Sequence, residues 1–186
     1  MREADLLREA FGDIHGRRLH GFALLVALGD GERAEHAAGM ALSAGEEQAT
    51  ALRHPERAAA WLRARVLSSL RARTIGSSPM DLARRDNLAG LGVGGPAFDG
   101  LAALSPAERA ALVASLIEGF EPIDVETILN LGPTATKRIT ARAREHYQLA
   151  ATRAEPPGIG TASGSLAHRV QQVAGRALSQ PSDDGR

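Results

Sequence analysis

Apolar residues recur at helical spacing through much of the chain. Between Arg17 and Leu28 the positions Leu19, Phe22, Ala23 and Val26 fall on one face of a helix, and Gly29-Asp30-Gly31 supplies the turn chemistry that ends it. An alanine-rich stretch from Glu32 to Ala44 predicts a second helix, although Gly39 weakens it by roughly 1 kcal/mol relative to alanine. A third is predicted from Pro55, suited to a first helical turn, to about Arg73, with Leu62, Val66 and Leu70 on one face. The N-terminal half is thus expected to be a bundle of three or four helices.

From Ile75 to Gly100 the periodicity gives way to Gly-Ser-Ser-Pro, a short polar stretch and Gly90-Leu91-Gly92-Val93-Gly94-Gly95-Pro96, which predicts a linker. That run formally matches G-x-G-x-x-G. A dinucleotide site, however, needs a preceding strand and a helix whose N-terminus meets the pyrophosphate, and the flanks here supply neither. Ser105-Pro106-Ala107-Glu108 then opens a helix, with Ser105 as N-cap and Glu108 placed to complete a capping box. Leu112, Val113, Leu116 and Ile117 form its apolar face, and Gly119 stops it. Two more helices are predicted, around Asp124 to Leu129 and from about Thr134 to Tyr147, the second with Ile139, Ala143 and Tyr147 aligned. Beyond Arg153 the chain turns to Pro, Gly and Ser, except for Leu166, Val170, Val173, Ala177 and Leu178, which would line a short tail helix.

Composition agrees with an all-α chain: 44% of the 186 residues are hydrophobic and 24% charged, but only 3% are aromatic, so any core is built from Leu, Val, Ile and Ala. Lys+Arg and Asp+Glu both number 22, which removes any general electrostatic case for nucleic-acid binding and leaves only a local one. The chain has no cysteine, which excludes disulfides, thiolate zinc sites and cysteine nucleophiles and fits a reducing compartment. No stretch approaches the ~20 apolar residues that span a bilayer, and Met1 to Glu9 lacks the pattern of a secretory signal. A cytoplasmic location without a membrane partner is expected.

The strongest candidate chemistry lies between Val125 and Tyr147. Val125-Glu126-Thr127-Ile128-Leu129-Asn130-Leu131-Gly132 ends an apolar run at residues tolerant of a left-handed backbone, and a new helix starts within a few positions, the spacing of a helix-turn-helix. Its second helix offers Thr134, Thr136, Lys137, Arg138, Arg142 and Arg144, with only Glu145 opposing the four basic residues. Lys137 and Arg138 are expected to reach bases or phosphates, Arg142 and Arg144 to hold phosphates. The competing expectation is a solvated basic face on a small helical bundle.

Read from Leu101 to Tyr147, the segment resembles region 4 of extracytoplasmic-function sigma factors: a Leu-Ser-Pro-x-Glu-Arg opening, an apolar helix, a helix-turn-helix and a closing Arg142-Ala143-Arg144-Glu145. In that family the region binds the upstream promoter hexamer in the major groove. Asn130 stands where a turn glycine is usual and Pro133 enters the second helix; Asn tolerates the left-handed conformation and Pro suits a first turn. Arg17 to Leu25, Gly29 to Glu35 and Ala60-Trp61-Leu62 more faintly resemble region 2 of the same family. There, six arginines at 53, 57, 63, 65, 71 and 73 face only Glu56, a local net of plus five suited to phosphates. Trp61 either packs in the core or stacks near an unpaired base. The resemblance places polymerase docking at Glu32, Glu35 and His36, but His36, Gly39 and Met40 depart from the acidic residue and glutamine usual there, and Leu67-Ser68-Ser69-Leu70 lacks the usual Asn and Asp.

The resemblance implies two helical domains, a region 2-like unit at 1–74 and a region 4-like unit at 101–150, joined by a linker at 75–100 and followed by a tail at 151–186. It implies a transcription factor with promoter DNA and core RNA polymerase as partners and no cofactor. The alternative is a degenerate sigma-like regulator that binds an anti-sigma partner or DNA without initiating transcription. An enzyme is not expected. The six histidines include no i, i+4 pair on a shared helix, which argues against a metal site, and no Gly-x-Ser-x-Gly elbow occurs between a strand and a helix.

Overall fold

Apolar side chains at helical spacing bury themselves by packing helix on helix. The structure, a computed structural model, describes residues 3–48, 54–72 and 81–154, and every regular element among these residues is helical. The helices are α1 (Glu3–Val26), α2 (Gly31–Glu47), α3 (Pro55–Ala72), α4 (Asp81–Gly90), α5 (Pro96–Ala102), α6 (Pro106–Leu112), α7 (Pro122–Leu129) and α8 (Pro133–Ala154). A π-helical turn, Val113–Ile117, continues α6. No described helix is long and apolar enough to cross a membrane. The tail helix predicted beyond Arg153 lies outside the described residues.

Leu19, Phe22, Ala23 and Val26 of α1 are buried, as their spacing predicts. They pack against an α2 face of Ala34, Ala37, Ala38 and Ala41, whose small side chains let the two helices approach closely. Asp30 caps α2 by accepting from the Arg33 N–H at 3.2 Å, and its other oxygen accepts from Arg84 of α4 at 3.2 Å. Gly29 before it has φ 77°, and a Cβ there would stand 2.3 Å from the Arg84 carbonyl, so only glycine fits. α3 lays Leu62, Val66, Leu67 and Leu70 into the same core.

Within the linker predicted at 75–100, the described residues from 81 onward carry α4 and most of α5. Leu88, Val93 and Phe98 are buried, Arg85 bonds Asp99 at 2.8 Å, and its guanidinium lies 4.2 Å from the centroid of the Phe98 ring. Three apolar anchors at wide spacing are enough to order the segment, while its glycines absorb the bends at Gly92 and Gly95, both at positive φ.

α6, α7 and α8 pack together in the C-terminal half, and α5 packs on α8. The contact is close: a Cβ on Gly100 would meet the Tyr147 ring at 2.7 Å. The buried residues of both halves form a continuous cluster, with α3 against α7 and α1 against α6. Arg109, 8% exposed, ties this junction together. Its Nε donates to the Val26 carbonyl at the end of α1 (2.8 Å), and its Nη1 donates to the carbonyls of Leu101 (3.2 Å) and Leu104 (2.5 Å) at the end of α5. Burial, with the neighbouring Arg33 and Arg84, lowers its pKa to about 10.

Arg109→Met keeps the stem and removes the donors. Each stranded buried carbonyl costs about 1–3 kcal/mol, offset in part by relief of the buried charge. Urea unfolding of the full chain is expected to show a net loss of roughly 2 kcal/mol. An unchanged midpoint would mean that the three carbonyls do not depend on this guanidinium.

Candidate nucleic-acid interface

The turn between α7 and α8 spans three residues. Asn130 ends α7 at φ 53° and ψ 52°, the left-handed conformation that Asn tolerates better than most residues. Its N–H donates to Thr127 at 3.2 Å and the Leu131 N–H donates to Glu126 at 3.1 Å, so the last carbonyls of α7 are satisfied as the chain reverses. Pro133 then starts α8, where a missing N–H costs nothing.

The helical period sorts the side chains of α8. Thr136, Ala143 and Tyr147 are buried and Ile139 is half-buried, which fixes the inner face. Thr134, Lys137, Arg138, Ala141, Arg144 and Gln148 are exposed on the outer one. Lys137, Ala141, Arg144 and Gln148 run i, i+4, i+7, i+11, and the short Ala141 leaves room for close approach to a surface. Thr136 must be removed from the predicted contact set: it is 5% exposed, and its hydroxyl is buried without a hydrogen-bond partner.

Arg142 stands between the two faces. Its side chain is 55% exposed, but its Nε donates to Glu108 Oε1 at 3.1 Å, and His146 Nδ1 lies 3.4 Å from the same oxygen. Glu108 Oε2 meanwhile accepts from the Ser105 N–H (3.0 Å) and hydroxyl (2.7 Å), completing the predicted capping box. The carboxylate that caps α6 therefore also holds α8. Burial pushes its pKa up, but the Ser105 bonds, the Arg142 guanidinium and the neighbouring His146 ring outweigh that and hold it below the ordinary value. Sequence inspection missed this second role, although Arg142 and His146, four apart on one face, signal a carboxylate opposite.

On α3, Arg57, Trp61, Arg65, Ser68 and Arg71 share one face by helical spacing, all exposed except the half-buried Trp61, with the Arg65 guanidinium 5.3 Å from the Trp61 ring centroid. Trp61 also packs on the core. Arg63 corrects the sequence expectation. It lies on the opposite face, is 2% exposed, and is paired with Glu118 rather than offered to phosphate. Arg53 and Arg73 lie outside the described residues. On α2, Glu32, Glu35 and His36 are exposed together with Gly39 and Met40.

No family model, curated protein or solved structure matches the chain. Only the residues themselves bear on function. They form an exposed cationic stripe on a helix whose inner face is buried and whose start is set by a three-residue turn. Such a stripe can meet a polyanion in a groove about as wide as a helix.

Two outcomes test this anchoring. The depressed Glu108 pKa means that its stabilisation is complete above the ordinary carboxylate value of 4.5 and is lost as pH falls through the lower folded value. Glu108→Gln should therefore be about 1–2 kcal/mol less stable than the parent at neutral pH, with the gap closing in acid; a gap independent of pH would exclude the ionised carboxylate as the anchor. Thr136→Val replaces an unpartnered buried hydroxyl by a methyl and should raise stability by up to about 1 kcal/mol in the same assay.

Proposed function

We propose that the chain is a sigma-factor-like, sequence-specific DNA-binding protein of the cytoplasm that directs core RNA polymerase to promoters. In this proposal α6 to α8 form the region 4-like unit and α8 enters the major groove of the distal promoter element. The helices of residues 1–74 form the region 2-like unit, with α3 facing the proximal element and the exposed Glu32, Glu35 and His36 of α2 facing polymerase. The observation that carries the proposal is the outer stripe of α8: Thr134, Lys137, Arg138 and Arg144 are exposed next to a helix start whose N–H dipoles favour phosphate. With a neutral chain, affinity must come from such local faces.

A second reading has its own support. Arg63, one of the α3 cations counted toward promoter contact, is consumed inside the protein, and His36, Gly39 and Met40 occupy the face where docking residues would stand. A sigma-like regulator that binds DNA or an anti-sigma partner without initiating transcription also fits these facts. Run-off transcription with purified core polymerase separates the two: promoter-specific transcripts support the first, and core binding without transcripts supports the second.

DNA binding itself is tested by anisotropy titration against duplexes selected from a random library. Lys137→Ala and Arg138→Ala should each weaken binding about ten-fold, within the roughly 1–3 kcal/mol of a base contact or a charge-assisted phosphate contact. A lost phosphate contact also lowers the logarithmic salt slope by about 0.9. Unchanged affinity in both variants would falsify the recognition-helix assignment.

A further inference from the structure

Arg63 and Glu118 meet across the junction between the two halves. Arg63 Nε donates to Glu118 Oε2 at 2.6 Å, Nη2 donates to Oε1, and Nη1 donates to the Ala59 carbonyl at 3.0 Å. Its guanidinium lies 4.8 Å from the Phe120 ring centroid and 5.5 Å from that of Phe22. Glu118 and Phe120 belong to the C-terminal half, so a cation of α3 is clamped by a carboxylate and a ring from beside the helix-turn-helix. A buried pair of this kind contributes little net stability, and its best-attested use is to specify one arrangement over another.

The carboxylate reaches Arg63 from an unusual backbone. Glu118 comes directly after the π-helical turn Val113–Ile117, and its N–H donates to Val113, five residues back, at 3.0 Å. The π turn is the last turn of the helix that α6 begins, so the departure from α-helical hydrogen bonding falls where the chain leaves that helix. Relaxation of this turn to regular α-helix would rotate the downstream chain by about one residue, roughly 100° of helical turn, and carry the Glu118 carboxylate away from Arg63. Gly119, at φ 69°, separates the turn from α7 and gives the chain a pivot there.

We propose that Arg63 and Glu118 form a latch that holds α7 closed on α3, with the π turn as its two-state element, and that release of the latch opens the chain for DNA. The regulatory half of this proposal rests on the DNA-binding function proposed above. Opening frees Arg63 for phosphate and lets the basic rows of α3 and α8 separate to reach two sites on a duplex.

Because the chain has no cysteine, Ser68→Cys on α3 and Thr127→Cys on α7, both exposed, can carry spin labels in the full-length protein. Electron–electron distance measurement should give one population in the parent. Glu118→Gln, with helicity retained by circular dichroism, should add a longer one and bind the selected duplex at least five-fold more tightly. Glu118→Asp, which keeps the charge but shortens the reach, should do the same to a smaller extent and serves if the Gln variant does not fold. Unchanged distances in a folded variant overturn the latch. Longer distances with no gain in affinity overturn its regulatory role. If no form binds DNA, the proposed function fails, and the distances alone still decide whether the latch exists.

Discussion

Two adjacent residues of opposite charge in α6 organise both faces of this molecule. Glu108 caps its own helix through Ser105 and holds α8 through Arg142 and His146, while Arg109 reaches into the junction and satisfies carbonyls at the ends of α1 and α5. The outer stripe of α8 is therefore not an independent feature. Its orientation depends on a carboxylate that is itself fixed by a cap, and the unit bearing it is bound to the N-terminal half by the next residue along. Ordered polar side chains, rather than apolar area alone, decide how these helices face one another.

The same pattern explains where the positive charge of a neutral chain has gone. Arg33 donates to the Leu70 carbonyl near the end of α3 at 2.9 Å, Arg109 serves α1 and α5, Arg84 and Arg85 pair with Asp30 and Asp99, and Arg63 pairs with Glu118. Helix C-termini leave carbonyls without intrahelical partners, and a guanidinium is well shaped to collect them. Arginine here is first a structural residue. The cations that remain outward on α8 consequently define a narrow stripe instead of a diffuse field, and a narrow stripe gives register on a ligand more than it gives general attraction.

Much of the local structure was legible in the sequence because local rules govern it. The capping box at Ser105, the left-handed turn at Asn130 and the buried line through Ile139, Ala143 and Tyr147 follow from residue type and helical period alone. The misjudged features depend on distant partners. Arg63 counted as a free cation in a basic run, yet its carboxylate stands 55 residues away, and Arg109 finds the Val26 carbonyl 83 residues back. Thr136 was misassigned for a subtler reason. Residue type suggested a polar contact, whereas its place one helical turn before Ile139 and Thr140 put it on the inner face. Period should have outweighed type.

The segment before α6 shows the limit of composition. Gly90 to Gly95 reads as linker by content, and its bends do use positive-φ glycines, but Leu88, Val93 and Phe98 drive the surrounding chain into the core. A flexible connection would let the two halves sample many orientations at little cost. An anchored one makes their relative placement a specific state. Glu118 lies at the end of a π turn, next to a positive-φ glycine and opposite the most buried arginine of α3. The placement of α7 and α8 against the N-terminal half thus rests on the apolar contact of α7 with α3 and on two polar contacts, Arg109 with the carbonyls of Val26, Leu101 and Leu104 and Arg63 with Glu118, the second of them where the chain departs from regular α-helical geometry.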